Sequence, residues 1–494
     1  MIQLVLTIAA GVGLWQLWAR TTSADPRAAA IVTGGFVLRA IVAQALFWIS
    51  WLRLPIGESL QTGNGFWFFA LDGPTYLESA ENVLRNGPAA VLFIDAVYAS
   101  HTFVQIVAAC IAAFGSVAAV AILLNCAAYL GTCAVIVRIA RCDRRASWPC
   151  LVALSAVAFG PATMLWSLQL LKDTYLLFLT VAIFGAFQYW QDFWLDAATA
   201  RAPWRLTAVV AAMMVCVFSL AGMRWYFALV IWTASVVFFS IVVWRTERRR
   251  AALVATVAVF VLLAQSVRFG GGGDIPFGIS RMLDPRPGML MAWRPSGVTR
   301  FLGNARNGFE NTPGGTTIVA GPALARSAQT SEKANDSPTA SGSSIASPTA
   351  SPAASPAPSP RASPADVVPQ TWARVVAVLL PRFVGQTVGL VQMGGGRGLW
   401  LFAELDTIFF DVVLLFAAWY SVRTLRYSRA PVPPLFVLLV LIFVLLFPPM
   451  VYTVNNFGTL LRLRQMLYII AAIIPLTLVA KQGLRPSSLD GLSS

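Results

Sequence analysis

The chain has 494 residues, 57% of them hydrophobic and 12% charged, with a mean hydropathy of +0.71. That leaves too little polar surface for a water-soluble protein of this length, so the composition points to a polytopic membrane protein. The net charge of +15 would suggest a nucleic-acid partner in a soluble domain, but here the arginines collect in short loops between apolar runs, where orientation in a membrane accounts for them, and nucleic acid is not expected as a partner.

Apolar segments of membrane length, roughly 17 to 25 residues each, lie near 2–19, 29–51, 114–140, 147–165, 173–190, 205–222, 225–244, 251–267, 403–422, 433–453 and 466–480. The expected fold is all-α, with about eleven transmembrane helices. The first segment has no basic stretch before it and is followed by Arg20, so it reads as a retained span rather than a cleaved leader.

Between the second and third segments, Phe66, Trp67, Phe68 and Phe69 lead into Leu71-Asp72-Gly73-Pro74. Tyr76, Leu77, Ala80, Val83 and Leu84 then recur at helical spacing until Asn86-Gly87, which predicts an amphipathic surface helix that begins at an acid.

If every segment crosses once, the basic clusters fall on one face: Arg20 and Arg27; Arg138, Arg141, Arg144 and Arg145; Arg201 and Arg205; Arg245, Arg248, Arg249 and Arg250; Arg423, Arg426 and Arg429; Lys481 and Arg485. That face is expected to be cytoplasmic, and a missed or false span would scatter the clusters over both sides. The chain then divides into an N-terminal membrane domain, 1–267, with an exterior loop at 52–102; an exterior segment, 268–325; a linker, 326–366; an exterior interfacial stretch with the last membrane helices, 367–481; and a cytoplasmic tail, 482–494. The linker, with SPTASPAASPAPSPRASP at its heart, has almost no large apolar side chain and reads as a disordered tether, either a plain spacer or an O-glycosylated stalk. The stretch from Trp372 to Val391 is expected to lie along the exterior interface.

A charge inside a span costs roughly 2.5 to 3.5 kcal/mol on insertion scales, so the few present need partners or a task. Arg39 and Asp411 lie at similar depth in their segments and are expected to pair across the bundle, with Glu404 toward the exterior of Asp411 on one helical face. At the exterior boundary several separate loops bring polar residues to one depth: Asp72, Lys172 with Asp173, Arg224, Glu404 with Asp406, and Arg462 with Arg464. Cations there run against the positive-inside bias. Each alone can snorkel to headgroups, but together with a carboxylate they suit an anionic ligand such as a lipid phosphate.

Transfer of a sugar from a lipid phosphate needs this assortment, since cations stabilise the departing phosphate and a carboxylate takes the acceptor proton. Asp72 is placed for the base role; Asp72-Gly73-Pro74 is equally a good helix start. No metal site is expected: the cysteines have no paired spacing, His101 stands alone at the edge of an apolar run, and Glu404 with Asp406 lacks a further acidic cluster. The runs Gly270 to Gly273 and Gly394 to Gly396 lack a Walker lysine and read as loops.

Three stretches, ALDGPTYLESAENVLRNG, WSLQLLKDTYLLFL and NNFGTLLRLRQMLYIIAAIIPL, resemble the C-type superfamily of integral-membrane glycosyltransferases, which includes protein O-mannosyltransferases and lipid A aminoarabinose transferases. The resemblance covers the spans and their loops and leaves out the linker. It implies Asp72 as catalytic base, with Lys172, Arg224, Arg462 and Arg464, together with Tyr76, Asp173 and Glu404, around the phosphate of a polyprenyl-phosphate sugar, which serves as co-substrate with no other cofactor. It further implies a glycan, lipid or protein acceptor on the exterior face of a bacterial inner membrane. Two departures stand out: a single acid at Asp72 where many members carry a pair, and no large soluble carbohydrate domain. A polysaccharide polymerase or ligase, a lipid or oligosaccharide transporter, and a non-catalytic assembly protein are the alternatives.

Overall fold

The computed structural model describes residues 2–23, 25–70, 72–87, 90–91, 100–115, 118–141, 146–196, 203–271, 397–428, 431–453 and 457–479. The linker, the stretch from Trp372 to Val391 and the tail lie outside them, as does nearly all of segment 268–325. The described residues are mostly helical and fall into two compact units. The first comprises Met1–Ile279, Leu405–Met450 and Gly458–Ser494; the second, Ser280–Glu404 and Val451–Phe457, has only 397–404, 451–453 and 457 among the described residues.

In chain order the helices are α1 (Ile2–Thr22), α2 (Pro26–Trp51), α3 (Asp72–Arg85), α4 (His101–Phe114), α5 (Ala118–Ile139), α6 (Trp148–Phe159), α7 (Pro161–Ser167), α8 (Asp173–Leu195), α9 (Pro203–Arg245), α10 (Arg249–Gly271), α11 (Arg397–Tyr427), α12 (Pro434–Thr453) and α13 (Phe457–Val479). Each of the eleven apolar segments falls on helical residues, and among the described residues six helices are long and apolar enough to cross a membrane: Ile2–Thr22, Pro26–Trp51, Trp204–Arg245, Arg249–Gly271, Glu404–Tyr427 and Arg462–Val479. A seventh arises if α6 and α7, bent by 45° at Gly160-Pro161, count as one. The expectation of eleven separate spans is therefore not reproduced. The segments 205–222 and 225–244 both fall on α9, which is two helices joined at a kink where Arg224 is non-helical (φ −152°, ψ 85°). At 1.5 Å per residue each half, about 20 residues, is about 30 Å of helix, the thickness of a bilayer's apolar core. A short apolar helix, α4, is additional to the expected set.

Lipid is the natural partner of the apolar surface: Leu4, Val5, Ile8 and Trp15 of α1, Val254 and Val257 of α10, and Val412 and Leu415 of α11 are all exposed. By contrast, α13 is buried along most of its length from Arg464 to Leu478.

Within the first unit, polar contacts gather the connections into two sets. One joins loops that carry the arginine clusters. Asp25 caps α2 by accepting from the backbone N–H groups of Arg27 (2.7 Å) and Ala28 (3.3 Å), with Pro26 at the first helical position, and also accepts from Ala146 N–H at 2.7 Å. Those bonds hold its carboxyl down to about 2, against the effect of burial, the Ala146 contact being the largest cause. Arg141 pairs with Asp192 (2.5 Å), Arg245 donates to the Val432 carbonyl (2.5 Å), and Thr246 donates to that of Trp194 (2.9 Å). The second set contains the starts of α3, α4 and α8 and the break in α9. Helices α2 and α8 each run from one set to the other. Arg27, Arg141 and Arg245, from three of the six arginine clusters, take part in the first set.

Arg39 does not pair with Asp411. It is buried and donates to the carbonyls of Val157 (2.6 Å) and Ala158 (2.7 Å) at the end of α6, to Gly35 O (3.1 Å) and to Ser167 Oγ (3.0 Å), lying 4.2 Å over the Tyr129 ring. The break between α6 and α7 frees carbonyls inside the bundle, and a guanidinium with five donors satisfies them better than one carboxylate would satisfy the guanidinium. Asp411 is only partly buried; the fully buried carboxylate of α11 is Asp406.

Candidate functional site

The aromatic run before Asp72 folds back on the end of α2. Ser50 donates to the Phe66 carbonyl at 2.7 Å and Trp67 Nε1 to that of Leu46 at 2.8 Å, and a short hairpin, β1 (Gln61–Gly63) with β2 (Phe66–Trp67), turns through Asn64 and Gly65, both at positive φ. This aims α3 at the turn before α8. A Cβ on Gly73 would lie 3.0 Å from Phe66 and 3.3 Å from Leu170 O, so that close approach favours glycine. Helix α3 buries Gly73, Tyr76, Ala80 and Val83, the expected face, and ends at Gly87 with φ +95°.

The start of α3 brings Asp72 to Arg462, which lies five residues past the first residue of α13. The Asp72 carboxylate pairs with Arg462 Nη1 at 2.5 Å. The same guanidinium stacks 4.7 Å over the Trp166 ring of α7 and points its Nε at Asp173 Oδ2, 3.9 Å away. Asp173, the first residue of α8, pairs with Arg224 at 3.3 Å, and Arg224 also donates to the Tyr226 hydroxyl at 2.8 Å. Arg224 reaches this group from the kink that joins the two halves of α9. Lys172 contacts Ser100 Oγ and lies 5.8 Å from the centre of the Tyr76 ring. Ser100 precedes α4 in the left-handed region (φ 64°), and its hydroxyl is not used to cap that helix.

Five of the residues singled out from sequence therefore meet, Asp72, Lys172, Asp173, Arg224 and Arg462, with Tyr76 beside them. Three cations against two carboxylates leave one positive charge in excess. Burial drives the Lys172 ammonium down to about 8, with Arg224 adding to the shift and Asp173 opposing it. Burial also raises the Tyr76 hydroxyl to about 12, with the Asp72 charge adding to it. The carboxylates differ in access, since the side chain of Asp72 is 47% exposed and that of Asp173 1%. Of the two, Asp72 is the one open to solvent.

Arg464 is not part of this group. It is fully buried, bonded through two nitrogens to Asp406, itself fully buried, and through a third to Thr407 Oγ1 at 2.7 Å, while Asp406 also accepts from the Ala162 N–H at the start of α7 (2.9 Å). Residues two apart on a helix point about 200° apart, so Arg462 and Arg464 cannot serve one site, and that signal was present in the sequence. Glu404 falls in the second unit. Trp166 and Ser100 were not singled out; their roles depend on helix packing. Among the described residues no three His, Cys, Asp or Glu side chains gather as metal ligands do.

Close packing of α4 on α9 holds Ser100 in place. A Cβ on Gly222 would fall 1.9 Å from Thr102 Oγ1 and 2.9 Å from His101 Nε2, and the β-branched threonine cannot swing aside freely. Gly222→Ala is expected to destabilise the protein by about 1–3 kcal/mol, read as a lower melting temperature in detergent. An unchanged melting temperature would show that α4 is free to shift.

No protein-family model, curated protein or solved structure matches this chain.

Proposed function

We propose that the protein is a membrane glycosyltransferase that moves a sugar from a polyprenyl-phosphate donor to an acceptor hydroxyl on the exterior face of a bacterial inner membrane. The observation that supports this most is the meeting of Lys172, Arg224 and Arg462 with a half-exposed Asp72, four residues from four separate helices or turns. In this reading Asp72 takes the proton of the acceptor hydroxyl as its oxygen attacks the anomeric carbon. The bond to the phosphate oxygen breaks, and the configuration inverts. The three cations hold the phosphate, whose charge grows as the bond breaks; it leaves already ionised and needs no acid. Exposed apolar residues near this end, Leu54, Ile56, Leu60 and Phe68, suit an isoprenoid tail or lipid.

A transporter reading draws on the break between α6 and α7, because broken helices often bind cargo. Here the groups freed by the break are already engaged, the carbonyls by Arg39 and the Ala162 N–H by Asp406, which favours a structural role for it.

The test is the purified protein in liposomes with polyprenyl-phosphate sugars and an acceptor glycan or lipid. Sugar transfer is expected, with the donor KM flat below pH 8 and rising above it as Lys172 loses its proton, whereas a Lys172→Arg variant stays flat over that range. The same shift acts on stability with the opposite sense: the cost of burying the ammonium is present below about 8 and is relieved as pH climbs toward 10.5, because the unfolded chain then holds more protons. Lipid translocation without transfer would overturn the reading in favour of a transporter.

A further inference from the structure

Arg462 sits between two carboxylates and is fully bonded to only one of them. It pairs with Asp72 at 2.5 Å, while its Nε and Asp173 Oδ2, both buried and lacking a hydrogen-bond partner, face each other across 3.9 Å. Buried polar atoms left this way cost free energy, and here the two orphans are complementary: a shift of about 1 Å brings them within hydrogen-bond range. The guanidinium therefore has a second seat next to the first. Around it, Arg224 already holds the other oxygen of Asp173 (3.3 Å), Trp166 provides a flat surface on which the guanidinium can slide (4.7 Å), and Lys172 lies behind Tyr76.

We infer that Asp72 is the internal ligand of an anion site formed by Arg462, Arg224 and Lys172, and that an arriving phosphate displaces Asp72 from Arg462, which closes on Asp173. This rests on the proposed function and deepens it, because displacement frees the carboxylate that the reaction requires as base only once a donor phosphate is in place. Asp173 is then a positioning residue: it keeps Arg462 at the site when Asp72 lets go. Without a donor, Asp72 stays tied to a cation and water at the site meets no free base. No covalent step is involved, only an exchange of one carboxylate for a phosphate on the same guanidinium.

Competition of this kind has a sign that a plain supporting role for Asp72 does not share. The probe is farnesyl phosphate, titrated by calorimetry into the full-length protein in detergent; it carries the phosphate and a short isoprenoid tail but no sugar to transfer. Asp72→Asn, which keeps the shape of the side chain and removes its charge, is expected to bind the probe about 1.5-fold to fivefold more tightly than the wild type, the range of one half-exposed ion pair. Asp72→Ala is expected to show the same direction, and Arg462→Ala to lose most of the binding. Asp173→Asn is expected to weaken binding while the pairing of Asp72 with Arg462 persists. Equal or weaker binding by both Asp72 variants, with melting temperatures like that of the wild type, would overturn the exchange and leave the glycosyltransferase reading standing. Absence of saturable binding in the wild type would overturn both. Tighter binding in the variants of a protein that transfers no sugar would support the exchange and remove the reaction.

Discussion

Asp72→Asn is expected to lower sugar transfer by about 10²- to 10⁴-fold, the contribution of a positioned general base, with no loss of folded protein. The side chain is half exposed, so losing its ion pair with Arg462 costs little stability, and asparagine still accepts a hydrogen bond there. A rate assay on the reconstituted variant beside its melting curve decides the matter. Wild-type turnover would exclude Asp72 as the base. Low turnover together with weak donor binding would assign it to holding the substrate. The combination expected here, tighter phosphate binding with lost turnover, separates the base from the cations that neighbour it.

The other large effect concerns stability. Replacing Asp406 by alanine leaves Arg464 as an uncompensated charge in a fully buried place and strips the Ala162 N–H of its acceptor. Breaking one side of such a pair costs about 3–5 kcal/mol, enough to remove most of the folded protein at growth temperature. Arg464→Ala is expected to behave alike. The double replacement Asp406→Leu with Arg464→Met, which removes both charges and keeps much of the volume, is expected to recover a large part of the loss. Yield of monodisperse protein and melting temperature in detergent read this directly. If the single replacements were harmless, the pair would not be holding the break between α6 and α7 against α11 and α13, and the distinction drawn between Arg462 and Arg464 would lose its footing.

Much of the site was legible in the chain. Cations on the face expected to be exterior oppose the usual bias, and the costs of placing charge in a membrane are large enough that such residues stand out one by one. That logic found Lys172, Arg224, Arg462, Asp72 and Asp173 and assigned them a common depth, and the contacts bring them together. The same logic failed for Arg464 and for Arg39, because depth along a helix says nothing of the direction around it. Arg464 turns inward to Asp406, and Arg39 turns to carbonyls exposed by a break at Gly160-Pro161. A proline at the first turn of α7 is visible in sequence, but which side chain answers the freed carbonyls depends on the helix packed against them.

What the sequence determined by itself is the membrane class, the helices as apolar segments and the acid at the head of α3, since each follows from hydropathy, periodicity or the cost of a charge. Only the tertiary structure decided which polar residues share a site. It set Asp72 on Arg462, left Asp173 half engaged beside it, placed Arg224 at the kink between the two halves of α9, and sent Arg464 to a buried pair. Partners of that kind are chosen by how helices distant in sequence pack and rotate against one another, and buried charges then settle on whichever opposite or polar group that packing brings within about 3 Å.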